Sequence, residues 1–325
     1  MPTTVDKLHP ALDNIIPHHP VLERIATGFR WTEGPIWLPS GVLLFADIPG
    51  NSIQLWHPEL GVRTFMQPSG YAGSEPFGGF EPGSNGMTLD SLGRLTVAGH
   101  GRRNVWRLEG NEAGATITVL ADSYQGKRLN SPNDLVYHSD GSLYFTDPPY
   151  GLPTQKESDR AKELQVNGVY RIPDARRQEP GAAHDPARLQ LLIADLPRPN
   201  GLAFSPDERY LYVANSEPEM YWMRYAVAPG GTLSDAKVFF HAGTYAQRGA
   251  PDGIKVDQAG NVYSTGPGGV WIFSPEGDHL GILRVPEVVA NLHWSSIDPR
   301  MLYIAATTSV YRIELKLPGV FPLVG

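Results

Sequence analysis

The 325-residue chain contains no cysteine, which excludes disulfides, thiolate metal sites and a cysteine nucleophile. No apolar stretch approaches the ~20 residues that cross a bilayer as a helix. The opening segment, MPTTVDKLHPALDNIIPHHP, lacks the basic stretch and apolar run of a secretory leader, so a cytoplasmic location is expected. No run of Lys and Arg stands out and the net charge is −7, so neither nucleic acid nor a membrane is an expected partner. What is abundant is turn and strand chemistry. With 35 Gly, 30 Pro and 10% aromatic residues, the chain suits many short strands better than a helix bundle. At this length one large β domain or two ordinary domains bury a full core.

Six oxygen-bearing residues recur at one point of a repeated pattern: Glu33, Asn85, Asn133, Asn200, Asp252 and Asn291. Each precedes a short apolar strand, a Gly- or Asp-bearing turn, and a β-rich run: GVLLFAD, GRLTVAG, GSLYFTD, RYLYVAN, GNVYSTG and RMLYIAA. A third strand follows in every unit (SIQLW, NVWRL, GVYRI, MYWMRY, GVWIF, SVYRI). A fourth follows in five of them. The sixth lacks its own, and Val21 to Thr27 is the natural strand to close it. Spacings of 39 to 67 residues fit four-stranded units. The expectation is an all-β, six-bladed β-propeller over residues 21–325, preceded by an extension, 1–20, whose first fifteen residues are dispensable. Residues 153–167 and 174–188 read as surface insertions, the first weakly helical over 157–164.

Stacked around an axis, the six residues form one ring, a design for a hard cation: Ca²⁺ above all prefers carboxylate and amide oxygens. The competing view is that Asn and Asp merely terminate strands. Strand direction puts the loops after second strands on the ring's face. That gathers Asp47, His100, Arg102, Asp147, Tyr150, Asn215 and Ser216 about one mouth, with Arg128, Asn130 and the Gly-rich segment 68–84 from the incoming loops. Arg102 suits a carboxylate or a sugar acid, or is simply solvated; Tyr150 stacks on a ring or walls the pocket. His100, on the same face and titrating near neutrality as a free side chain, is a candidate base. His293 faces the channel or packs between blades.

The stretches WTEGPIWLPSGVLLFADI, NGMTLDSLGRL, RLNSPNDLVYHSDGSLYFTDPPYG, PNGLAFSPDERYLYVAN and APDGIKVDQAGNVY resemble the SMP-30/gluconolactonase/luciferin-regenerating family. The DPPYG version is similar to its microbial gluconolactonase branch. The resemblance implies a divalent cation held by Glu33, Asn200 and Asp252, with Asn133 completing or bordering the site. It also implies Asp252 as general base or proton carrier, and a lactone substrate. Zn²⁺, Mg²⁺ and Mn²⁺ are alternatives to Ca²⁺. The chain departs from animal members at Ser131-Pro132-Asn133-Asp134, where Arg128 serves only from a shifted position, and at 149–151, which carries no acid. The expected partner is a small lactone or ester; nothing in the pattern addresses oligomeric state. Two other readings stand beside it. One is a Ca²⁺-dependent arylesterase or phosphotriesterase of paraoxonase type; the other is a non-catalytic binding propeller with a structural cation.

Overall fold

The computed structural model describes residues 4–110 and 112–321, so the ends of the expected extension and of the propeller lie outside the described residues. The chain forms six antiparallel sheets arranged as the blades of a β-propeller. The innermost strands are Thr32–Leu38, Met87–Leu89, Leu135–Tyr137, Pro199–Phe204, Ile254–Val256 and Val289–Trp294. Each second strand packs between two neighbouring blades, which is why Val42–Asp47, Leu143–Asp147 and Val262–Gly266 are buried at every position. A strand covered on both faces reads as a continuous apolar run rather than an alternation. Indole rings fill the wedges, with Trp106, Trp222, Trp271 and Trp294 fully buried.

The ring is close because the inner strands of adjacent blades touch. Gly86 donates its amide to Asn133 O (2.8 Å), Gly201 to Asp252 O (3.1 Å) and Gly253 to Ala290 O (2.9 Å). A Cβ at Gly34, Gly86, Gly201 or Gly253 would strike the next blade. That is the reason four of the six ring residues are followed by glycine. Bulges lie at Glu33, between Pro199 and Leu202, and at Asn291, and re-aim those side chains.

The sixth blade is closed by Glu23–Thr27, which pairs with Ser309–Glu314 across the chain ends. Trp37 of blade one stacks on Tyr303 of blade six at 5.0 Å. The N-terminal extension departs from expectation. Val5–Lys7 adds a fifth strand to blade five through His279–Arg284. Leu12, Ile15 and Ile16 are buried in a cluster shared by blades five and six, and Lys316 N bonds to Ile15 O at 2.8 Å. Among the described residues, 5–16 therefore pack against the propeller, so their removal is expected to cost stability.

The first insertion also differs from the sequence reading. Residues 157–164 form turns, not a helix. The Asp159 carboxylate collects Thr154 N, Thr154 Oγ1 and Ala161 N at 2.6–2.8 Å, a local alternative to helical hydrogen bonds. Residues 174–188 carry two short 3₁₀ turns. They cap the buried Arg107 guanidinium, which donates to Ala175 O (3.0 Å) and Gln178 O (2.6 Å).

Candidate functional site

The six ring residues meet in the channel. Asn85 Nδ2 donates to Asn133 Oδ1, and Asn133 Nδ2 to Asn200 Oδ1. Asn200 Nδ2 continues to Ser216 Oγ (3.0 Å), whose hydroxyl donates to Pro251 O (2.6 Å). On the other side Asn291 Nδ2 donates to Glu33 Oε2 at 3.1 Å. Asp252 closes the ring against Asn200.

The carboxylates carry the electrostatics. Burial pushes Glu33 up to about 7, against the pull of the Gly34 amide and with added repulsion from Asp134. Asp252 lies well above the usual carboxylate range through burial first, then through the Glu33, Asp134 and Glu81 charges. Lys255 is the ammonium group beside them, donating to Ile254 O (2.9 Å) and Asn291 Oδ1 (3.4 Å). Two crowded carboxylates flanked by amide oxygens fit a hard divalent cation, which would relieve the repulsion that raises them. Among the described residues no three His, Asp or Glu side chains gather into a metal cluster. The donors that fit are therefore mixed: Glu33, Asp252, and the amide oxygens of Asn133 and Asn200.

This arrangement has a measurable consequence. In protein stripped of divalent cations, folded Glu33 holds its proton up to about pH 7, while the unfolded carboxyl releases it near 4.5. The folded state then binds more protons, so stability falls as pH rises through that window. The thermal midpoint should drop between those pH values and recover on adding a divalent cation. A flat profile under both conditions would contradict this.

Asp47, Asp147 and Asn215, at the ends of second strands, serve as clamps. Asp47 Oδ1 accepts Arg30 N and Trp31 N (both 3.1 Å), ahead of Glu33. Asp147 accepts Asn130 N (2.8 Å) and Ser131 N (2.7 Å), ahead of Asn133. Asn215 Oδ1 accepts Arg198 N (2.8 Å), ahead of Asn200. Asn130 returns the contact through Nδ2 to Asp147 O at 2.9 Å. Asn130 and Asp147 are thus buried in the loop that aims Asn133, and burial raises Asp147 to about 7 despite its two amide donors.

His100 is fully buried, with Nδ1 on Pro132 O (3.0 Å) and Nε2 on Glu81 Oε2 (2.8 Å). Neither nitrogen is left for a water. Arg102 and Arg128 line a side cavity of about 390 Å³ with Tyr71 and Phe77. Their guanidinium groups brace backbone carbonyls, Arg102 on Gly70 O and Arg128 on Arg102 O. His293 lines a different cavity, about 310 Å³, shared with Lys255 and Phe321. Its Nδ1 donates to Trp294 O at 2.6 Å, and burial, then Lys255, lowers its pKa to about 3. Tyr150 flanks Asp252 and Ser216, with the Arg198 guanidinium 5.2 Å from its ring centre.

Sequence reasoning passed over Asp134, Lys255 and Glu81 as members of the site. Asp134 had one available signal: it stands where glycine follows four other ring residues. Its carboxylate is buried, with Oδ1 on Leu135 N at 2.9 Å.

Fold and site together define a six-bladed propeller built around an oxygen-lined channel. A family model described as the SMP-30/Gluconolactonase/LRE-like region matches residues 31–308. The chain belongs to that family. A curated gluconolactonase from Zymomonas mobilis is 39% identical over 330 aligned residues, covering 97% of this chain and 87% of its relative. A solved gluconolactonase from Xanthomonas campestris superposes with a TM-score of 0.80 at 30% identity, covering 97% of each chain. Regucalcin from Agrobacterium tumefaciens, described as a calcium-binding protein, shares the fold with a TM-score of 0.69 at 18% identity, covering 94% of this chain and 97% of its own.

Proposed function

We propose that this protein is a lactonase that opens a sugar lactone, such as an aldono-1,5-lactone, with the aid of a divalent cation, Ca²⁺ by preference. Family membership and 39% identity to a gluconolactonase support the lactonase class. The observation that carries the reading is the pair of desolvated, mutually repelling carboxylates, Glu33 and Asp252, beside the Asn133 and Asn200 amides. Bound there, a cation supplies Lewis acidity toward a substrate carbonyl oxygen. Asp252, partly open to the mouth, takes the proton of the attacking water. The water oxygen bonds to the carbonyl carbon, the ring C–O bond breaks, and the ring oxygen leaves as a hydroxyl that receives a proton. Tyr150 and Ser216 wall the flank of Asp252, while Asn130 and Asp147 keep the Asn133 loop fixed.

Chelation tests the cation. Lactone opening should fall to the uncatalysed rate and return on adding Ca²⁺; full activity after exhaustive chelation would overturn the role. The same assay run on an aryl ester and an organophosphate reports the substrate class. Faster turnover of either than of the sugar lactone would replace the sugar-lactone assignment.

A further inference from the structure

We propose that Glu81 is the specificity-determining carboxylate of the mouth, accepting hydrogen bonds from the hydroxyl groups of a polyhydroxylated substrate. The inference rests on the lactonase reading and names what that site selects. Glu81 lies near the end of the loop joining blades one and two, and that loop is bolted down. Gly70 N donates to Asn51 Oδ1 (2.8 Å), Asn51 Nδ2 to Tyr71 O (2.7 Å), Tyr71 N to Pro82 O (2.7 Å) and Gly83 N to Ile48 O (3.0 Å). The backbone immediately after the residue is therefore fixed.

Its side chain is aimed by two residues from other loops. Glu81 Oε2 meets His100 Nε2 at 2.8 Å, and Oε1 accepts Gln155 Nε2 at 2.8 Å. The His100 ring cannot turn away, because it is fully buried and its Nδ1 is committed to Pro132 O. A carbonyl can only accept, so Nδ1 carries the hydrogen that anchors the ring to Pro132 O. Gln155 is held in turn by Arg198 Nη1, which donates to its backbone carbonyl at 3.1 Å. Glu81 is thus presented as a rigid acceptor, the condition for selective recognition.

The carboxylate is not used up by these contacts. Each oxygen has a second lone pair, and the Glu81 side chain keeps 19% of its surface exposed. Its partner His100 bonds Pro132 O, next to the ring residue Asn133, which puts Glu81 beside the same mouth. An acceptor-only group complements donors, and a lactone ring rich in hydroxyls brings several. A lactone without hydroxyls offers no donor to the lone pairs that His100 and Gln155 leave open.

The test compares wild type, Glu81→Gln and Glu81→Ala on an aldono-1,5-lactone and on unsubstituted δ-valerolactone, in excess Ca²⁺, with thermal midpoints measured alongside. Glu81→Ala should raise KM for the hydroxylated lactone about 10- to 100-fold. The loss on δ-valerolactone should be at least about tenfold smaller, and Glu81→Gln should fall between. An equal loss on both lactones would mean that Glu81 only braces its loop, and no loss on either would also overturn the proposal. Should wild type open neither lactone, the lactonase reading falls. Calorimetric titration with an open-chain alditol then judges Glu81 separately: weaker binding by Glu81→Ala supports it, and equal binding refutes it.

Discussion

Replacing Asp252 with alanine is expected to lower kcat for lactone opening by about 10³-fold or more, the largest single effect of any substitution in the channel. General-base assistance alone contributes about 10²–10⁴-fold, and Asp252 is also one of two carboxylates in the proposed cation cage. The backbone around it is held independently of its side chain. Its amide donates to Thr265 Oγ1 (2.8 Å), and its carbonyl accepts Gly201 N (3.1 Å). Truncation should therefore leave the fold intact, and removing a repelled carboxylate even relieves Glu33. Asp252→Asn separates the two duties. The amide keeps an oxygen for the cation but cannot take a proton, so cation affinity should fall less than in Asp252→Ala while kcat falls as far. Metal titration followed by steady-state kinetics reads both. A kcat within about threefold of wild type for Asp252→Asn would remove Asp252 as proton carrier. Loss of turnover with partner binding retained is what a hydrolase predicts and a passive binding scaffold does not.

The architecture was legible in the sequence because its information is local and repeated. Strands such as Leu135–Tyr137 and Ile254–Val256 fall where the pattern puts them, since hairpin pairing is decided by neighbours in sequence. The ring was legible for the same reason: Glu33, Asn85, Asn133, Asn200, Asp252 and Asn291 hold one register position in six repeats. The mouth was less so. His100 occupies a plausible position for a base, yet its chemistry is decided by Glu81 on one side and Pro132 on the other. Neither contact has a sequence signature. Asp147 and Asn130 were read as lining the mouth because polar residues on a functional face resemble ligands. Their partners are each other's backbone, a relation that appears only once the loop is folded. Arg102 and Arg128 show the same limit, being spent on carbonyls of neighbouring loops. Periodicity reports which strands pair, but not which irregular loop lies over which blade. That is also why Gln155, inside an insertion with no period, escaped notice although it touches Glu81.

The N-terminal extension offers the second large effect. Ile15→Ala is expected to cost about 2–5 kcal/mol, the range for removing a buried aliphatic side chain whose cavity does not collapse. Ile15 is 1% exposed and belongs to the cluster that includes Leu280 and Leu283 of blade five and Tyr311 and Ile313 of blade six. Collapse is resisted on both sides, because those residues are fixed by their own sheets and Ile15 O is held by Lys316 N. Deleting residues 1–16 should lower the thermal midpoint further. It removes Leu12 and Ile16 as well, and it uncovers the edge of blade five that Val5–Lys7 now pairs. An uncovered strand edge also invites association between chains, so the truncated protein should aggregate at concentrations where the full chain does not. Leu8→Ala supplies the control, since Leu8 is 58% exposed and its loss should leave the midpoint unchanged. The extension lies on the outer side of blades five and six, away from the ring. The surviving folded fraction of Ile15→Ala should accordingly retain wild-type KM, with only its thermal midpoint reduced. A midpoint equal to wild type for both Ile15→Ala and the deletion would show that the extension merely rests on the propeller.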